Sequence, residues 1–150
     1  MPPKPTGKAL LIWGGATSVG SNGIQLAVAA GYEIITTASP KNFDYVKKLG
    51  ASQVFDYNSK TIVDGLIEAF KGRKIARVLD CIGVNGVFEA CVDTLLKSNG
   101  NKFIAACRHP PENIPDGIST KFIFGSDLKD NEVSKAIYVD FLPKALAAGK

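Results

Sequence analysis

A short apolar run leads directly into a glycine-rich turn near the start of this chain. Residues 10–20 read Leu-Leu-Ile-Trp-Gly-Gly-Ala-Thr-Ser-Val-Gly, and an amphipathic helical pattern follows at once. A strand, a glycine turn and a helix in this order present free backbone N–H groups at the helix start, where they can receive a nucleotide pyrophosphate. Thr17 stands where the usual G-x-G-x-x-G fingerprint has its middle glycine, so the motif alone is weak evidence.

Six short apolar runs alternate with helical patterns along the chain. They are nearly continuous in apolar residues, as expected for parallel strands covered on both faces. The predicted strands are Lys8–Trp13, Tyr32–Thr37, Gln53–Asp56, Arg77–Cys81, Lys102–Ala106 and Lys121–Phe124. The alternation predicts an α/β fold, a doubly wound and mostly parallel six-stranded sheet of the Rossmann type, with strand order 3-2-1-4-5-6.

Helical patterns connect these strands. The predicted helices are 19–30, a short one marked by Phe43, Val46 and Leu49 that ends at Gly50, then 62–70, 87–96 and a last one over about 130–148. Pro143 is expected to kink or split the last helix. The stretch 108–120, which contains three prolines, is the one long irregular segment.

Length and composition favour a single domain and exclude several classes of protein. The 150 residues are 45% hydrophobic and 21% charged, which is ordinary for a globular chain. Apolar runs reach about six residues, whereas a bilayer span needs roughly 20, and the polar start does not look like a signal peptide. The net charge of +4 is scattered and forms no basic stripe with interleaved aromatics. We therefore expect a cytoplasmic protein that binds neither membrane nor nucleic acid.

Three cysteines and one histidine are the candidate metal ligands. Cys81, Cys91 and Cys107 include no C-x-x-C pair, and their odd number argues against a disulfide framework. Zinc ligands usually come in close pairs, which these spacings and the single His109 do not provide. The sequence therefore predicts a reducing compartment and no metal site.

The end of the second predicted strand indicates which ribose the glycine turn would serve. An NAD site has an acidic residue about 20 residues after the turn, where it binds the 2′-hydroxyl. Here Ser39, Lys41 and Asn42 take that place, and these groups can bind a 2′-phosphate that an acid would repel. NADP(H) is therefore favoured over NAD(H). Ser39 could equally be a helix N-cap followed by Pro40, with Lys41 in solvent, and the two interpretations are compatible.

Four segments together resemble a known family. They occur in the family's order and span much of the chain: Gly14–Gly20, Ser39–Asn42, Leu49–Ala51 and Phe55–Tyr57. The chain resembles the medium-chain dehydrogenase/reductase superfamily and, within it, the zinc-free branch of quinone oxidoreductases and fungal trans-acting enoyl reductases.

The resemblance implies which residues hold the cofactor. In that branch the glycine turn cradles the pyrophosphate, and the segment after the second strand holds the adenosine 2′-phosphate together with a tyrosine after the third. The loop after the fourth strand passes near a ribose. Carried onto this sequence, the implied cofactor-binding residues are Gly15, Ala16, Thr17, Ser18, Val19, Gly20, Ser39, Lys41, Asn42, Tyr57, Cys81 and Ile82. Tyr57 could instead be a half-buried aromatic residue, and Cys81 a small buried hydrophobic one.

The resemblance also implies the domain organisation. Family members place a catalytic domain before the cofactor domain, whereas residues 1–150 correspond to the NADP-binding Rossmann domain alone. We expect an excised domain or truncated gene product that is inactive by itself. The full-length enzyme, completed by the missing catalytic domain, would transfer hydride from NADPH to an enone, quinone or related small carbonyl substrate. No catalytic residue is identified within these 150 residues.

Three alternatives remain open at this point. The chain could be the cofactor domain of a zinc-dependent alcohol dehydrogenase, whose ligands would lie mostly outside it. It could be a stand-alone dinucleotide-binding module without catalysis. A methyltransferase shares the sheet but would favour an acid after the second strand, where this chain has none.

Overall fold

A parallel six-stranded sheet forms the centre of the computed structural model, which describes residues 3–129 and 131–149. Every paired strand in it runs parallel to its neighbours, in the order β3-β2-β1-β4-β5-β6. The strands are β1 Lys8–Trp13, β2 Glu33–Ala38, β3 Gln53–Asp56, β4 Lys74–Asp80, β5 Phe103–Ala106 and β6 Ser119–Phe122. The predicted fold class and strand order are confirmed.

The helices are α1 Ser18–Ala29, α2 Phe43–Lys48, α3 Ile62–Phe70, α4 Val87–Leu96, α5 Glu132–Lys135 and α6 Leu142–Ala147, with 3-10 turns at Pro40–Asn42 and Gly125–Leu128. Helices α1 to α4 connect the first five strands as the sequence pattern predicted, and α5 and α6 follow the last strand. All five connections return the chain to the same edge of the parallel sheet; four of them join neighbouring strands, and the one from β3 to β4 passes over β2 and β1. The carboxyl ends of the strands therefore lie along one edge, where ligands of such sheets bind.

The predicted start of β4 was wrong by three residues. The strand begins at Lys74, which pairs with Lys8, and the register shifts between Ala9 and Leu10 so that Ala76 is passed over. In the sequence of this strand, Arg77 interrupts the continuous apolar run that marks a buried strand, and Lys74 at its start is also polar. The polar residues at its start then look like part of the preceding turn.

The last predicted helix is divided into three stretches with different winding. A π-helical segment, Ala136–Phe141, separates α5 from α6, and Pro143 lies in the first turn of α6. Proline has no N–H to donate to the preceding turn, and π-helical winding is one way for a chain to accommodate this. The predicted start at residue 130 lies outside the described residues.

Two apolar clusters, one on each face of the sheet, form the core. Leu11 and Val78 belong to the cluster that includes residues of α3 and α4, whereas Ile12 and Ile34 belong to the one that includes residues of α1 and α2. Helices on both faces make the sheet doubly wound. Within the described part of the chain, no helix combines the length and apolarity needed to cross a membrane.

Candidate functional site

Two buried threonines of β2 hold the glycine turn from beneath. The Gly14 N–H donates to Thr37 Oγ1 at 3.0 Å, and the Gly15 N–H donates to the Thr37 carbonyl at 2.9 Å. Thr36 Oγ1 donates to the Ile12 carbonyl at 2.6 Å. Buried hydroxyls must find partners, so two threonines inside an apolar strand were a signal that the sequence analysis missed. The two bonds to Thr37 fix the turn relative to the sheet, and the bond of Thr36 joins β2 to β1 beside it.

Thr17 explains the departure from the usual glycine fingerprint. It is the N-cap of α1: its hydroxyl accepts from the Gly20 N–H at 3.0 Å and donates to the Gly14 carbonyl at 2.8 Å. A glycine could supply neither bond. The threonine therefore closes the turn and starts the helix with one side chain.

Three backbone donors at the start of α1 are free. The N–H groups of Ala16, Ser18 and Val19 have no acceptor among the described residues, while their neighbours Thr17 and Gly20 are both bonded within the turn. Unpaired N–H groups at a helix start carry partial positive charge and attract anions. Because α1 is 12 residues long, its dipole adds to this attraction.

At two positions of the turn the surrounding atoms leave room only for glycine. A Cβ on Gly20 would lie 2.2 Å from the Gly14 carbonyl oxygen, and a Cβ on Gly15 would lie 2.2 Å from Thr36 Oγ1. Neither contact is possible for real atoms. The glycines therefore bring α1 against the turn and leave the free donors at its surface.

A cavity of about 640 Å³ opens beside the turn at the carboxyl edge of the sheet. Its size falls within the roughly 300–1,000 Å³ of small-molecule sites. Six of the predicted residues line it: Ala16, Thr17, Ser39, Asn42, Tyr57 and Ile82. These come from four separate segments of the chain, so the fold brings half of the predicted set to the lining of one cavity.

The other predicted residues lie around the cavity without lining it. Gly15 and Gly20 support the turn from within, and Ser18 and Val19 are exposed at the start of α1. Lys41 is exposed on the 3-10 turn between Ser39 and Asn42. Cys81 is partly buried against the core cluster on the α1 side.

The segment that follows β2 presents polar groups to the cavity. Asn42 Nδ2 donates to Ser39 Oγ at 3.0 Å, and both residues line the cavity. Ser39 occupies the N-cap position before Pro40, but its hydroxyl makes no capping hydrogen bond. Tyr57, on the segment after β3, also lines the cavity and is 48% exposed. Ser39 therefore stands at the N-cap position of the 3-10 turn, while its hydroxyl is a polar group of the cavity lining.

The loop after β4 closes another wall, and sequence reasoning found only its first residues. Asp80 is fully buried; its Oδ1 accepts from the N–H groups of Ile82 at 2.9 Å and Gly83 at 2.8 Å. Gly83, Asn85 and Gly86 all have positive φ, between 57° and 79°. This conformation suits glycine and asparagine and was the available signal for an ordered loop. Val84, Asn85, Gly86 and Val87 also line the cavity.

Burial raises the pKa of Asp80 above its ordinary value of 3.8, against the two backbone donors that lower it. Its Oδ2 is buried without a hydrogen-bond partner among the described residues. A carboxyl whose pKa is raised by folding keeps its proton to higher pH in the folded state than in the unfolded state. Its effect on stability is therefore most favourable below the ordinary pKa and is lost as the pH rises through the raised one.

Asp80→Asn should therefore become more stable relative to the unchanged protein as the pH rises from about 3.5 to 7. The amide oxygen can still accept from the two loop N–H groups, and no charge is buried. Urea unfolding across this range measures the difference. Asp93→Asn makes the same change at an exposed position of α4 and serves as the control. A loss of relative stability with rising pH would show that the Asp80 carboxylate is stabilised in the folded state.

The three cysteines are free thiols that are poorly suited to nucleophilic or metal chemistry. Burial raises the pKa of Cys81 to about 12, and it also raises the pKa values of Cys91 and Cys107. Thiols with raised pKa values carry little thiolate near neutral pH. In residues 3–129 and 131–149, no three His, Cys, Asp or Glu side chains come together as a metal site would require. The residues present do not fit a zinc ion.

The fold and the site together define a class of protein. A doubly wound sheet with a glycine turn at its carboxyl edge is a Rossmann-type nucleotide-binding domain. A sequence profile of the zinc-binding dehydrogenase family matches residues 18–133. The chain belongs to this family, and the resemblance to medium-chain dehydrogenases/reductases is confirmed.

Individual relatives agree with this assignment. Dehydrogenase azaJ of Aspergillus niger is 57% identical over 98% of this chain and 44% of its own length. Trans-enoyl reductase himH of Aspergillus japonicus is 39% identical over 99% of this chain and 43% of its own. The structure of Escherichia coli quinone oxidoreductase complexed with NADPH has a TM-score of 0.76 and 20% identity, covering 97% of this chain and 47% of that one. The chain spans less than half the length of these relatives.

Proposed function

We propose that this chain is the NADP(H)-binding domain of an oxidoreductase that transfers hydride from NADPH to an enone, quinone or related carbonyl substrate. The observation that carries the proposal is that two features meet at one cavity. The glycine turn and the start of α1 offer three free N–H groups, of which that of Ala16 belongs to a residue lining the cavity. Ser39 and Asn42, which follow β2, also line it, and no carboxylate side chain is among the lining residues described.

The proposed roles follow from the chemistry of each group. The N–H groups of Ala16, Ser18 and Val19 would receive the pyrophosphate, because they are unpaired donors at a helix start. Ser39 and Asn42 would bind the 2′-phosphate, with the positive charge of Lys41 between them in sequence. When bound, NADPH supplies the hydride, and the protein supplies binding and orientation.

Tyr57 and Ile82 complete the proposed binding surface from opposite walls. Tyr57 would contact the adenosine end, where its half-exposed ring is free to pack against the ligand. Ile82 belongs to the loop that Asp80 holds in place, so this wall would limit how far the cofactor can move. Cys81 and the glycines 15 and 20 would act by shaping the backbone under the ligand.

The acceptor is proposed to be a small molecule held by residues outside these 150. The relatives are more than twice as long as the matched region, and one of them is named a trans-enoyl reductase. One of the solved structures with a similar fold is a quinone oxidoreductase complexed with NADPH. These names support an enone or quinone acceptor and a catalytic domain in the same polypeptide. Free thiols support a reducing, cytoplasmic setting, and no membrane or nucleic-acid partner is proposed.

NADPH should bind this chain about 10- to 150-fold more tightly than NADH, since a charge-assisted contact to the 2′-phosphate contributes roughly 1.5–3 kcal/mol. Titration calorimetry with both cofactors measures the ratio of the two affinities.

Lys41→Ala should weaken the binding of NADPH and leave the binding of NADH nearly unchanged. Lys97→Ala is the matched control, because Lys97 is exposed after the end of α4 and does not follow the carboxyl end of a strand.

Equal affinities for the two cofactors would contradict the proposed 2′-phosphate site. Equal losses with Lys41→Ala would mean that the lysine acts through general charge or folding. The same preparation, mixed with NADPH and a panel of quinones and enones, should oxidise NADPH no faster than a protein-free mixture. Faster oxidation would show that a catalytic group lies within this chain.

A further inference from the structure

A tyrosine outside the cavity lining is bonded to a serine in the first turn of α1, just after the glycine turn. Tyr45 lies in the first turn of α2, and its ring is 47% exposed. Its hydroxyl nevertheless donates to Ser21 Oγ at 3.1 Å. Ser21 lies on α1, 24 residues away in sequence, and is only 7% exposed. The bond joins the helix after the Ser39–Asn42 segment to the helix that begins at the glycine turn.

Ser21 passes this contact on to two carbonyls of the turn. Its hydroxyl lies 2.7 Å from the Thr17 carbonyl oxygen and 3.2 Å from that of Gly15, and it can donate to them. A serine hydroxyl has one proton and can accept as well as donate. Because Tyr45 supplies the proton that Ser21 accepts, the proton of Ser21 stays directed at these two carbonyls.

The direction of a carbonyl fixes the direction of the next N–H. In a planar trans peptide, the C=O and the N–H of the same peptide unit point in opposite directions. Holding the Gly15 carbonyl toward Ser21 therefore turns the Ala16 N–H away from it. The Thr17 carbonyl also accepts from the Ser21 N–H at 2.8 Å, so the Ser21 hydroxyl reinforces a direction that already turns the Ser18 N–H outward. Ala16 and Ser18 carry two of the three free donors described above.

We infer that Tyr45 and Ser21 are positioning residues that orient the anion-binding N–H groups of the turn. This inference rests on the proposed function, because the anion is the pyrophosphate of the cofactor. Tyr45 touches no part of the cavity and acts through Ser21. Through α2, it also joins the pyrophosphate end of the site to the segment proposed to hold the 2′-phosphate.

Tyr45→Phe tests the role because it removes the hydroxyl and keeps the ring. We expect NADPH affinity to fall about 2- to 10-fold, the effect of one hydrogen bond. Affinity for adenosine 2′-phosphate, which has no pyrophosphate, should change less than about twofold on the same argument. Tyr138→Phe is the matched control. Tyr138 is exposed on the π-helical segment Ala136–Phe141, and its hydroxyl has no hydrogen bond among the described residues.

A double-mutant cycle separates positioning from a general effect on folding. Ser21→Ala removes the group through which Tyr45 acts, so adding Tyr45→Phe to it should cost no further NADPH affinity. Thermal unfolding of each variant shows whether it is folded under the binding conditions. An equal loss for NADPH and adenosine 2′-phosphate, or the same Tyr45→Phe loss with and without Ser21, would overturn the inference.

The unchanged chain distinguishes this inference from the function on which it rests. If it binds NADPH and Tyr45→Phe binds as tightly as Tyr138→Phe, the positioning role is wrong and the proposed function stands. If the unchanged chain does not bind NADPH, the proposed function fails, and the inference fails with it.

Discussion

Gly20→Ala should weaken NADPH binding at least about 100-fold and lower the free energy of unfolding by about 1–3 kcal/mol or more. The new Cβ would lie 2.2 Å from the Gly14 carbonyl oxygen, and 2.9 Å from both the Gly14 carbonyl carbon and Gly15 Cα. All three are backbone atoms, so no side-chain rotation can relieve the contact. The start of α1 has to move away from the turn, and the N–H groups of Ser18 and Val19 move with it.

The expected loss of binding follows from the number of donors displaced. Each charge-assisted hydrogen bond contributes roughly 1.5–3 kcal/mol, so losing two weakens binding at least about 100-fold. Titration calorimetry measures the affinity, and urea unfolding measures the stability.

Gly125→Ala provides the matched control for this substitution. A Cβ on Gly125 would meet no atom within 4 Å, and its φ lies outside the left-handed range. We expect a stability change within about 0.5 kcal/mol and unchanged NADPH affinity. Similar behaviour of the two variants would mean that the turn tolerates a side chain at Gly20, and the close packing described here would be wrong.

The fold could be predicted from the sequence because its strongest signals are local. The apolar runs and the glycine turn each lie within a few residues, and the order of strands follows from the rules for parallel connections. The boundaries of β4 could not be predicted, because its register shift at Ala9 depends on a partner strand more than 60 residues away. The winding of residues 136–141 is likewise a detail that periodicity does not show.

The candidate site could be predicted only where a residue type implies its own role. Ser39, Asn42 and Tyr57 follow strand ends and line the cavity, and their contact with the cofactor stays a prediction. Thr36 and Thr37 were assigned to a strand, because the bonds of Thr36 to β1 and of Thr37 to the turn depend on strand pairing. The contact of Tyr45 with Ser21 depends on how two helices pack, and no spacing along the chain indicates it.

Ser39→Asp should lower the ratio of NADPH to NADH affinity by about 100-fold or more. The carboxylate would repel the 2′-phosphate and would replace the hydroxyl proposed to bind it, while it could accept from the 2′-hydroxyl of NADH. Two like charges about 4 Å apart at a protein surface repel by up to roughly 4 kcal/mol, which exceeds the 1.5–3 kcal/mol of the lost contact. Aspartate is a favourable N-cap residue, so the 3-10 turn at Pro40–Asn42 should be preserved.

Calorimetry with both cofactors at one fixed ionic strength measures this ratio, because salt screens the repulsion. Ser126→Asp adds the same charge at an exposed position that does not line the cavity, and it should leave the ratio unchanged. A parallel loss of both cofactors would mean that the substitution distorts the end of β2. An unchanged ratio would place the 2′-phosphate away from Ser39, since a new carboxylate beside a bound phosphate cannot be energetically silent.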